Sequence, residues 1–355
     1  MQISKFLSRL DIRRYILKKT ITIKDIAKET GVHVSTVSRA LSPNARASLS
    51  REVVERIRLK AKQMGYRPNL VASGLRTKRS MTVGIVIPDI TNSLFPPIVR
   101  GVESVLEEAG YASILVNSDG DPKREERLLD LLLERGVDGI IDAAVTSQDE
   151  KVTDISKQLP VVTANRMVFG SGIPAVVNDD AGGITAMFQL LVGKGHKEIA
   201  YIGGPERLST GEVRNKAFIQ TATLNNIQFN SQNIEYAKNY TEEEGLICAE
   251  KILNQNDGVT AILCANDRLA LGALEAVNSR NLNCPEDISI TGFNDTPMID
   301  RIPPGLTTIR ILQFDVGRIA AEFLLKKMNE SGLPIPETTI MPVTIVNRGS
   351  VADLN

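Results

Sequence analysis

From residue 82 onward, short β-rich apolar runs alternate with segments whose apolar residues recur at helical spacing. The first pair is a strand from Thr82 to Ile87 and an amphipathic helix from Phe95 to Ala109. Alternation at this period predicts an α/β fold, in which helices cover both faces of parallel sheets. Residues 81–355 are too many for one such unit, so we expect two Rossmann-like lobes with a ligand cleft at the carboxyl ends of their strands.

The first 80 residues follow a different pattern, that of three short helices. Thr22 and Asp25 form a capping-box-like signal for the first helix. Gly31 supplies a turn, a second helix follows over residues 34–41, and a third amphipathic helix covers residues 50–64. This order predicts helix-turn-helix geometry, which ordinary helical bundles also adopt.

Charge separates these two interpretations. Residues 1–80 carry 19 Lys and Arg against 5 Asp and Glu, whereas residues 81–355 carry 23 against 37. The chain as a whole has 42 of each kind and a formal net charge of zero. A basic unit joined to an acidic body predicts a module that binds DNA phosphates. The side chains expected to neutralise phosphates include Arg46, Arg51, Arg58, Lys60, Lys62 and Arg67.

Composition excludes several other classes of protein. The three cysteines form no C-x-x-C pair and the two histidines are too few for a His-rich metal site, so we expect no metal or cofactor. No apolar run approaches about 18 residues, and the N-terminus lacks the apolar core of a secretory signal. These features predict a cytoplasmic protein without membrane contact. Residues 1–20 fit either an N-terminal extension or an amphipathic transit peptide.

Several strings at fixed spacing carry a family resemblance. Thr22 to Ala27 reads TIKDIA, Thr36 to Leu41 reads TVSRAL and Gly65 to Asn69 reads GYRPN. Together they resemble the headpiece of the lactose/galactose repressor (LacI/GalR) family. Gly195 to Ala200, reading GHKEIA, and Gly292 to Asp295, reading GFND, resemble the effector-binding body of the same family, which is similar to periplasmic sugar-binding proteins.

The resemblance implies four segments along the chain. They are an N-terminal extension over residues 1–20, a helix-turn-helix DNA-binding domain over 21–67, a hinge over 68–80, and an effector-binding and dimerisation domain over 81–355 with the type I fold of periplasmic binding proteins. The implied lobes are about 81–164 with 295–332, and about 165–294 with 333–355, crossing near Asn165, Asn294 and Leu333.

The resemblance also implies a set of DNA contacts. By position in the family motif, Val34, Ser35 and Arg39 read base edges in the major groove. Thr36 and Ser38 hold phosphates, and Leu75 enters the minor groove as an apolar wedge. His33 stands where the family usually has a Ser or Thr helix cap, so we expect a less firmly capped recognition helix or a pH-sensitive phosphate contact. The full implied set is Thr22, Val34, Ser35, Thr36, Ser38, Arg39, Asn69, Ala72 and Leu75.

Polar residues at strand ends supply candidates for the cleft. By resemblance, the effector-binding positions are Asn92, Phe95, Asp142, Asn165, Arg166, Arg214, Asn266 and Asn294. Each has a local alternative, such as a turn for Asn165, core packing for Phe95 or a surface ion pair for Arg214. Relatives often carry Asp in place of Asn294 and Gln in place of Ile311. Two arginines with fewer acids suggest the hypothesis of an anionic effector, such as a sugar acid or sugar phosphate.

These expectations combine into one function. The chain is expected to be a homodimeric transcriptional repressor that binds a pseudo-palindromic DNA operator and is controlled by a sugar-like effector in the cleft. The effector can be an inducer or a corepressor, depending on which state it prefers. No leucine heptad follows the predicted strand from Ile340 to Val346, so we expect no coiled-coil tetramer.

Two rival functions use only part of the sequence. A solute-binding protein would need the cleft but not residues 21–79, and it would need a signal peptide. An enzyme with a doubly wound fold would need a nucleophile and base, a phosphate-binding loop or paired carboxylates, and we find none at a credible spacing. We therefore expect no enzymatic activity.

Overall fold

The computed structural model describes residues 21–41, 49–66, 79–225, 227, 231–256, 258–329 and 334–355. The chain divides into two compact units, Met1–Lys78 and Arg79–Asn355. Most of the predicted hinge, with Asn69, Ala72 and Leu75, lies outside the described residues.

The first unit contains the three predicted helices. They are α1 (Ile23–Thr30), α2 (Val34–Ala40) and α3 (Arg51–Gln63). Thr22 and Asp25 form the predicted capping box, and Gly31 ends α1 in the left-handed region at φ 67°. The helices bury a shared core of Ile26, Ala27, Val37, Ala40, Val54, Ile57 and Ala61. The predicted helix-turn-helix geometry is therefore confirmed.

The cap of α2 is firmer than expected. His33 Nδ1 accepts a hydrogen bond from the backbone N–H of Ser35 at 3.3 Å and lies 2.8 Å from the Ser35 hydroxyl oxygen. A ring nitrogen thus performs the role of a Ser or Thr hydroxyl at this position. The expectation of weak capping was wrong because imidazole is also an acceptor.

The second unit alternates strands and helices, as predicted. Its first half contains β1 (Thr82–Ile87), α4 (Phe95–Glu108), β2 (Ala112–Asn117), α5 (Pro122–Glu134), β3 (Gly139–Asp142), α6 (Glu150–Ser156), β4 (Val161–Ala164), β5 (Ala175–Asn178), α7 (Asp180–Gly193), β6 (Ile199–Gly203) and α8 (Ser209–Leu224). Its second half contains β7 (Ile234–Tyr236), α9 (Glu242–Gln255), β8 (Ala261–Cys264), α10 (Asp267–Ser279), β9 (Ser289–Thr291), β10 (Thr308–Arg310), α11 (Gln313–Met328), β11 (Thr338–Met341) and β12 (Thr344–Val346).

Two parallel sheets define two lobes within this unit. Among the described residues, the first sheet has the order β11-β5-β4-β3-β1-β2 and the second has the order β7-β6-β8-β9. A short antiparallel pair of β10 and β12 stands apart from both. Strands β3, β4, β5 and β8 are buried along their whole length, which explains their nearly continuous apolar sequence.

The lobe boundaries differ from the predicted ones. Strand β5 pairs with β4 and β11, so the chain leaves the first lobe after Asn178 and not near Asn165. Residues 294 and 310 form a bridge, which keeps residues 295–310 with the second lobe. Strand β11 returns to the first sheet before β12 leaves it, so the predicted strand from Ile340 to Val346 is two strands. The polar residues that follow β4 suggest the end of a lobe, but two more strands of the same sheet, β5 and β11, come later in the chain.

The predicted hinge also ends earlier than residue 80. Arg79 donates hydrogen bonds to Met328 O at 2.9 Å and to Asn329 Oδ1 at 3.0 Å. The backbone N–H of Ser80 donates to Asp138 Oδ1 at 2.7 Å. Both residues are therefore anchored in the second unit.

Helices α4 and α11 touch backbone to backbone in the first lobe. A Cβ atom added at Gly101 would lie 2.0 Å from Phe314 O, and one added at Gly317 would lie 1.9 Å from Ile98 O. Real Cβ atoms do not approach oxygen this closely, so each helix needs glycine where the other crosses it. The two helices thus form one interlocked pair.

Substituting Gly317 with Ala should separate this pair. We expect Gly317→Ala to lower the free energy of unfolding by about 1 to 3 kcal/mol, because α4 must shift to admit the methyl group. Gly193→Ala is the matched control, since a Cβ there meets no atom within 4 Å. In urea unfolding, the control should be neutral or slightly stabilising. Equal stability of both variants would show that the contact is not tight.

Candidate functional site

The predicted base-reading and phosphate-binding residues of α2 lie on its outer side. Ser35 and Arg39 are exposed, Val34, Thr36 and Ser38 are half-buried, and the intervening Val37 and Ala40 face the core. Thr22, in contrast, uses its hydroxyl group to complete the capping box with Asp25. The described part of the first unit therefore presents a short polar helix face of the size that a DNA major groove admits.

Several basic side chains of this unit have structural partners. Arg58 Nε donates to Ala40 O at 3.1 Å and ties α3 to the end of α2. Lys60 pairs with Glu29 at 2.9 Å, and Arg51 pairs with Glu55 at 2.8 Å. Lys62 is exposed, while Arg46 and Arg67 lie outside the described residues. Arg51, Arg58 and Lys60 therefore have contacts within the first unit, while its surplus of basic over acidic residues is unchanged.

A polar cavity of about 370 Å³ lies at the carboxyl ends of the strands in the second unit. Its size is within the range of ligand pockets. The predicted effector residues that line it are Asn92, Phe95, Asn165, Arg166, Arg214, Asn266 and Asn294. Asp142 does not line the cavity. Its carboxyl accepts a hydrogen bond from the backbone N–H of Ala144, a residue that does line it.

Two of the lining amides begin helices. Asn266 Oδ1 accepts a hydrogen bond from Leu269 N at 2.8 Å and caps α10. Asn92 Oδ1 accepts from Leu94 N at 3.0 Å just before α4. Because both carbonyl oxygens are engaged, the NH₂ groups are the parts of these side chains that can donate to a ligand.

Asn165 and Asn294 lie at bends of the backbone. Their φ angles are 66° and 120°, in the left-handed region that asparagine enters more readily than most residues. Asn165 Oδ1 accepts from Asn178 Nδ2 at 3.1 Å. Asn294 Oδ1 is buried without a hydrogen-bond partner among the described residues, and Asn294 O accepts from Gln313 Nε2 at 2.8 Å. Asn294 thus has a free acceptor beside the cavity.

Arg214 is neutralised within the protein. Its Nε and Nη2 donate to Asp180 Oδ1 at 2.9 and 2.6 Å, and its Nη1 donates to Ala265 O at 2.6 Å. The guanidinium lies 3.7 Å from the centre of the Phe293 ring. Both charges of the pair are buried, so Arg214 adds no unbalanced positive charge to the cavity. This removes one of the two arginines on which the anionic-effector hypothesis depends.

Sequence reasoning missed an acidic group in the wall. Glu125, in the first turn of α5, is 5% exposed, and burial raises its pKa to about 9. Burial also raises the pKa of Asp142 to about 7 and lowers that of Arg166 to about 10. Ala144 links Asp142 and Arg166. Its N–H donates to Asp142 Oδ1 at 2.8 Å, and its carbonyl accepts from Arg166 Nη1 at 2.9 Å. We call Glu125, Asp142 and Arg166 the acidic corner.

The sequence offered little signal for Glu125. An acidic residue in the first turn of a helix is common, because it interacts favourably with the helix dipole. In sequence, Glu125 is flanked by Arg124 and Glu126, which are typical of a solvent-exposed helix face. Only the packing of α5 against the cavity buries its carboxyl group.

Direct contacts join the two lobes beside the cavity. Arg268 of α10 pairs with Asp89, which follows β1, at 2.9 Å, and also with Glu242 at 2.6 Å. The N–H of Ser147 donates to Arg207 O at 2.8 Å, and the N–H of Met167 donates to Ser209 Oγ at 3.0 Å. These bonds hold the lobes together over the cavity.

A further cluster joins three segments of the second lobe. Asp295 accepts hydrogen bonds from Arg310 Nε through its Oδ2 and from Arg348 Nη2 through its Oδ1, both at 2.6 Å. One nearly buried carboxylate therefore links segments that follow β9, end β10 and follow β12.

The described residues show no feature of a membrane span or a metal site. No helix among them is long and apolar enough to cross a membrane. The same residues contain no cluster of three or more His, Cys, Asp or Glu side chains that could hold a metal ion.

The Asp89–Arg268 pair should restrain lobe opening. Asp89→Asn keeps the shape of the side chain but removes its charge, so we expect the N–H groups of Ser147 and Met167 to exchange with solvent about two- to fivefold faster. Hydrogen exchange resolved by residue measures this. Asp154→Asn, which removes an exposed pair with Lys157 inside the first lobe, should change neither rate. Unchanged rates in Asp89→Asn would show that the pair does not hold the lobes.

Sequence comparisons agree with this two-part organisation. Residues 22–69 match the family described as bacterial regulatory proteins, lacI family, and residues 188–351 match the periplasmic binding protein-like domain. The chain is 34% identical over 314 residues to catabolite control protein A of Priestia megaterium, covering 87% of this chain and 93% of that protein. It is 32% identical over 317 residues to the HTH-type transcriptional regulator RegA of Clostridium saccharobutylicum, covering 89% and 95% of the two chains.

Structure comparisons give similar folds. The lac repressor dimer bound to operator and the anti-inducer ONPF superposes with a TM-score of 0.83 at 24% identity, covering 94% of this chain and 100% of that chain. The transcription regulator CcpA of Lactococcus lactis superposes with a TM-score of 0.71 at 29% identity, covering 76% and 98%.

Proposed function

Because this chain belongs to the lacI family of bacterial regulatory proteins, we propose that a sugar-like effector in its cavity controls how its headpiece binds an operator. The chain is a DNA-binding transcriptional regulator of that family. The observation that carries the proposal is the pairing, in one chain, of an exposed polar helix face on α2 with a cavity lined by several amides. A solute-binding protein would use only the second feature.

The proposed assembly is a cytoplasmic homodimer without enzymatic activity. The lac repressor, which has the same fold, binds its operator as a dimer. Two copies of α2 would then enter successive major grooves of a pseudo-palindromic operator. Ser35 and Arg39 would contact base edges, because they are the exposed residues on the outer face of α2.

The cavity favours a polyhydroxylated ligand. Amide NH₂ groups of Asn92 and Asn266 can donate hydrogen bonds, and Asn294 Oδ1 can accept one. Phe95 supplies an apolar ring at the start of α4, of the kind that packs on the face of a sugar. The structural neighbour CelR was solved as a cellobiose complex, and a family member from Enterococcus faecium was solved with ribose.

Helix α11 runs from the cavity to Arg79, where the second unit begins. At its first turn, Gln313 Nε2 donates to Asn294 O at 2.8 Å, and at its last turn Met328 O accepts from Arg79. Sixteen residues of helix span about 24 Å, and the interlocked α4 stiffens them. A shift of Asn294 on effector binding would therefore reach Arg79, where the chain continues from the headpiece. The effector induces or represses according to the lobe arrangement that it prefers.

Arg39 tests the DNA-reading role. With DNA fragments selected by the purified protein, Arg39→Ala should lose about 1 to 3 kcal/mol of sequence discrimination, or roughly 5- to 150-fold, and keep its affinity for random DNA. The control Lys62→Ala should weaken both kinds of DNA alike and reduce the salt slope by about 1. Fluorescence anisotropy at several salt concentrations measures both effects. Equal losses on selected and random DNA for Arg39→Ala would contradict base reading.

Gln313 tests the connection through α11. Thermal-shift screening of pentoses, hexoses and their derivatives first identifies a sugar that raises the melting temperature. With that sugar, Gln313→Ala should respond less in operator affinity than the wild type, because α11 no longer follows Asn294. Operator affinity without sugar should stay within about twofold. A full response in Gln313→Ala would exclude this route, and no stabilising sugar in the screen would reject a sugar effector.

A further inference from the structure

We propose that the effector carries a protonated amine, which binds at Glu125 in the acidic corner. The inference depends on the proposed function, because it describes the ligand of the same cavity. It assigns to that ligand a positive group besides its hydroxyl groups, as in an amino sugar.

Glu125 is a polar group without a protein partner. Its Oε1 is buried and has no hydrogen-bond partner among the described residues. The residue lines the main cavity and also an adjoining cavity of about 260 Å³, and Pro122 and Thr146 line both. Buried carboxyl oxygens are normally paired, so an unpaired one in a cavity wall indicates a missing ligand group.

The other acids in the cavity wall are already paired. Asp89 forms an ion pair with Arg268, and Asp119 forms one with Arg124. Glu125 differs from both, because no cation of the described residues forms an ion pair with its carboxyl group. A ligand amine is therefore directed to Glu125 in preference to the other two acids.

The charges around Glu125 favour a cation. Asp142 at the end of β3, Asp149 at the cap of α6 and Glu126 on α5 raise the pKa of its carboxyl group, and Arg166 lowers it. Arg166 in turn donates to Ala144 O. When Glu125 gives up its proton, its carboxylate adds to the charge of Asp149 and Glu126, so an ammonium group would offset negative charge that an anion would increase.

Two of the four arginines that line the cavity are neutralised by acids. Arg214 is paired with Asp180, Arg268 with Glu242 and Asp89, and Arg207 donates to Lys238 O and Asn239 Oδ1. Arg166 Nε lacks a partner, but it lies among the acids that raise the pKa of Glu125. An ammonium group carries only donors, and the acidic corner has carboxyl oxygens that lack partners among the described residues.

Binding an amine should release a proton. Burial, with Asp142 and Asp149 nearby, raises the pKa of Glu125 to about 9, so its carboxyl is protonated at neutral pH in the empty cavity. An ammonium group pairs with the ionised form, so the proton must leave. Amine affinity should accordingly rise with pH until the amine itself loses its charge. A neutral sugar leaves the carboxyl protonated and releases none.

Matched sugar pairs test the inference on the full chain. The probes are glucosamine, galactosamine and mannosamine, each compared with glucose, galactose and mannose, and glucuronate serves as the anionic member. We expect at least one amine to bind about tenfold or more tightly than its neutral partner at neutral pH. Titration calorimetry in two buffers of different ionisation enthalpy should then show about one proton released per amine bound.

Two variants locate the effect. Glu125→Gln should lose the preference for the amine and the proton release. Its melting temperature should stay close to that of the wild type, because the amide resembles the protonated carboxyl in shape. Glu134→Gln, the same change at the exposed last residue of α5, should keep both the preference and the proton release.

The outcomes separate this inference from the proposed function. Neutral sugars that bind as tightly as their amines, or glucuronate that binds best, would overturn the amine and leave the sugar effector in place. An amine preference that survives in Glu125→Gln would overturn the assignment to this residue. Absence of binding by every probe would reject a monosaccharide effector, and the amine inference with it.

Discussion

The contact between α4 and α11 at Gly101 and Gly317 is the constraint on which the rest of the body depends. Where two helices meet backbone to backbone, neither can slide or rotate without the other. Both helices begin beside the cavity, since Phe95 lines it and Gln313 bonds to Asn294. A ligand that moves one wall therefore acts on the pair, and the pair carries the movement across the first lobe.

The cavity shows how a protein can hold many charges without a strong net field. Arg214 cancels the charge of Asp180, and Arg268 is shared between two acids, Asp89 and Glu242. What remains for a ligand is a set of amide groups and a carboxyl that holds a proton because burial disfavours its charge. Selectivity in this cavity would then come from the few groups that the protein leaves without partners.

Much of this fold follows from sequence patterns with a local physical cause. The capping box at Thr22 and the glycine turn after α1 depend on neighbouring residues, so both were predictable. The lobe boundaries depend on which strands pair with each other, and the residues around Asn165 give no indication of that pairing. Seven effector candidates lie at the cavity because strand ends meet there, whereas Glu125 required the packing of a helix to become part of it.

Asp295 fixes the place from which the chain leaves the second lobe. Its carboxylate holds Arg310 and Arg348, so the segments that follow β9, end β10 and follow β12 meet at one nearly buried charge. Residues 295–310 therefore stay with the second lobe, and the chain passes to α11 from a fixed point. A ligand that changes the angle between the lobes would thus bend the chain beyond Arg310 and leave this cluster intact.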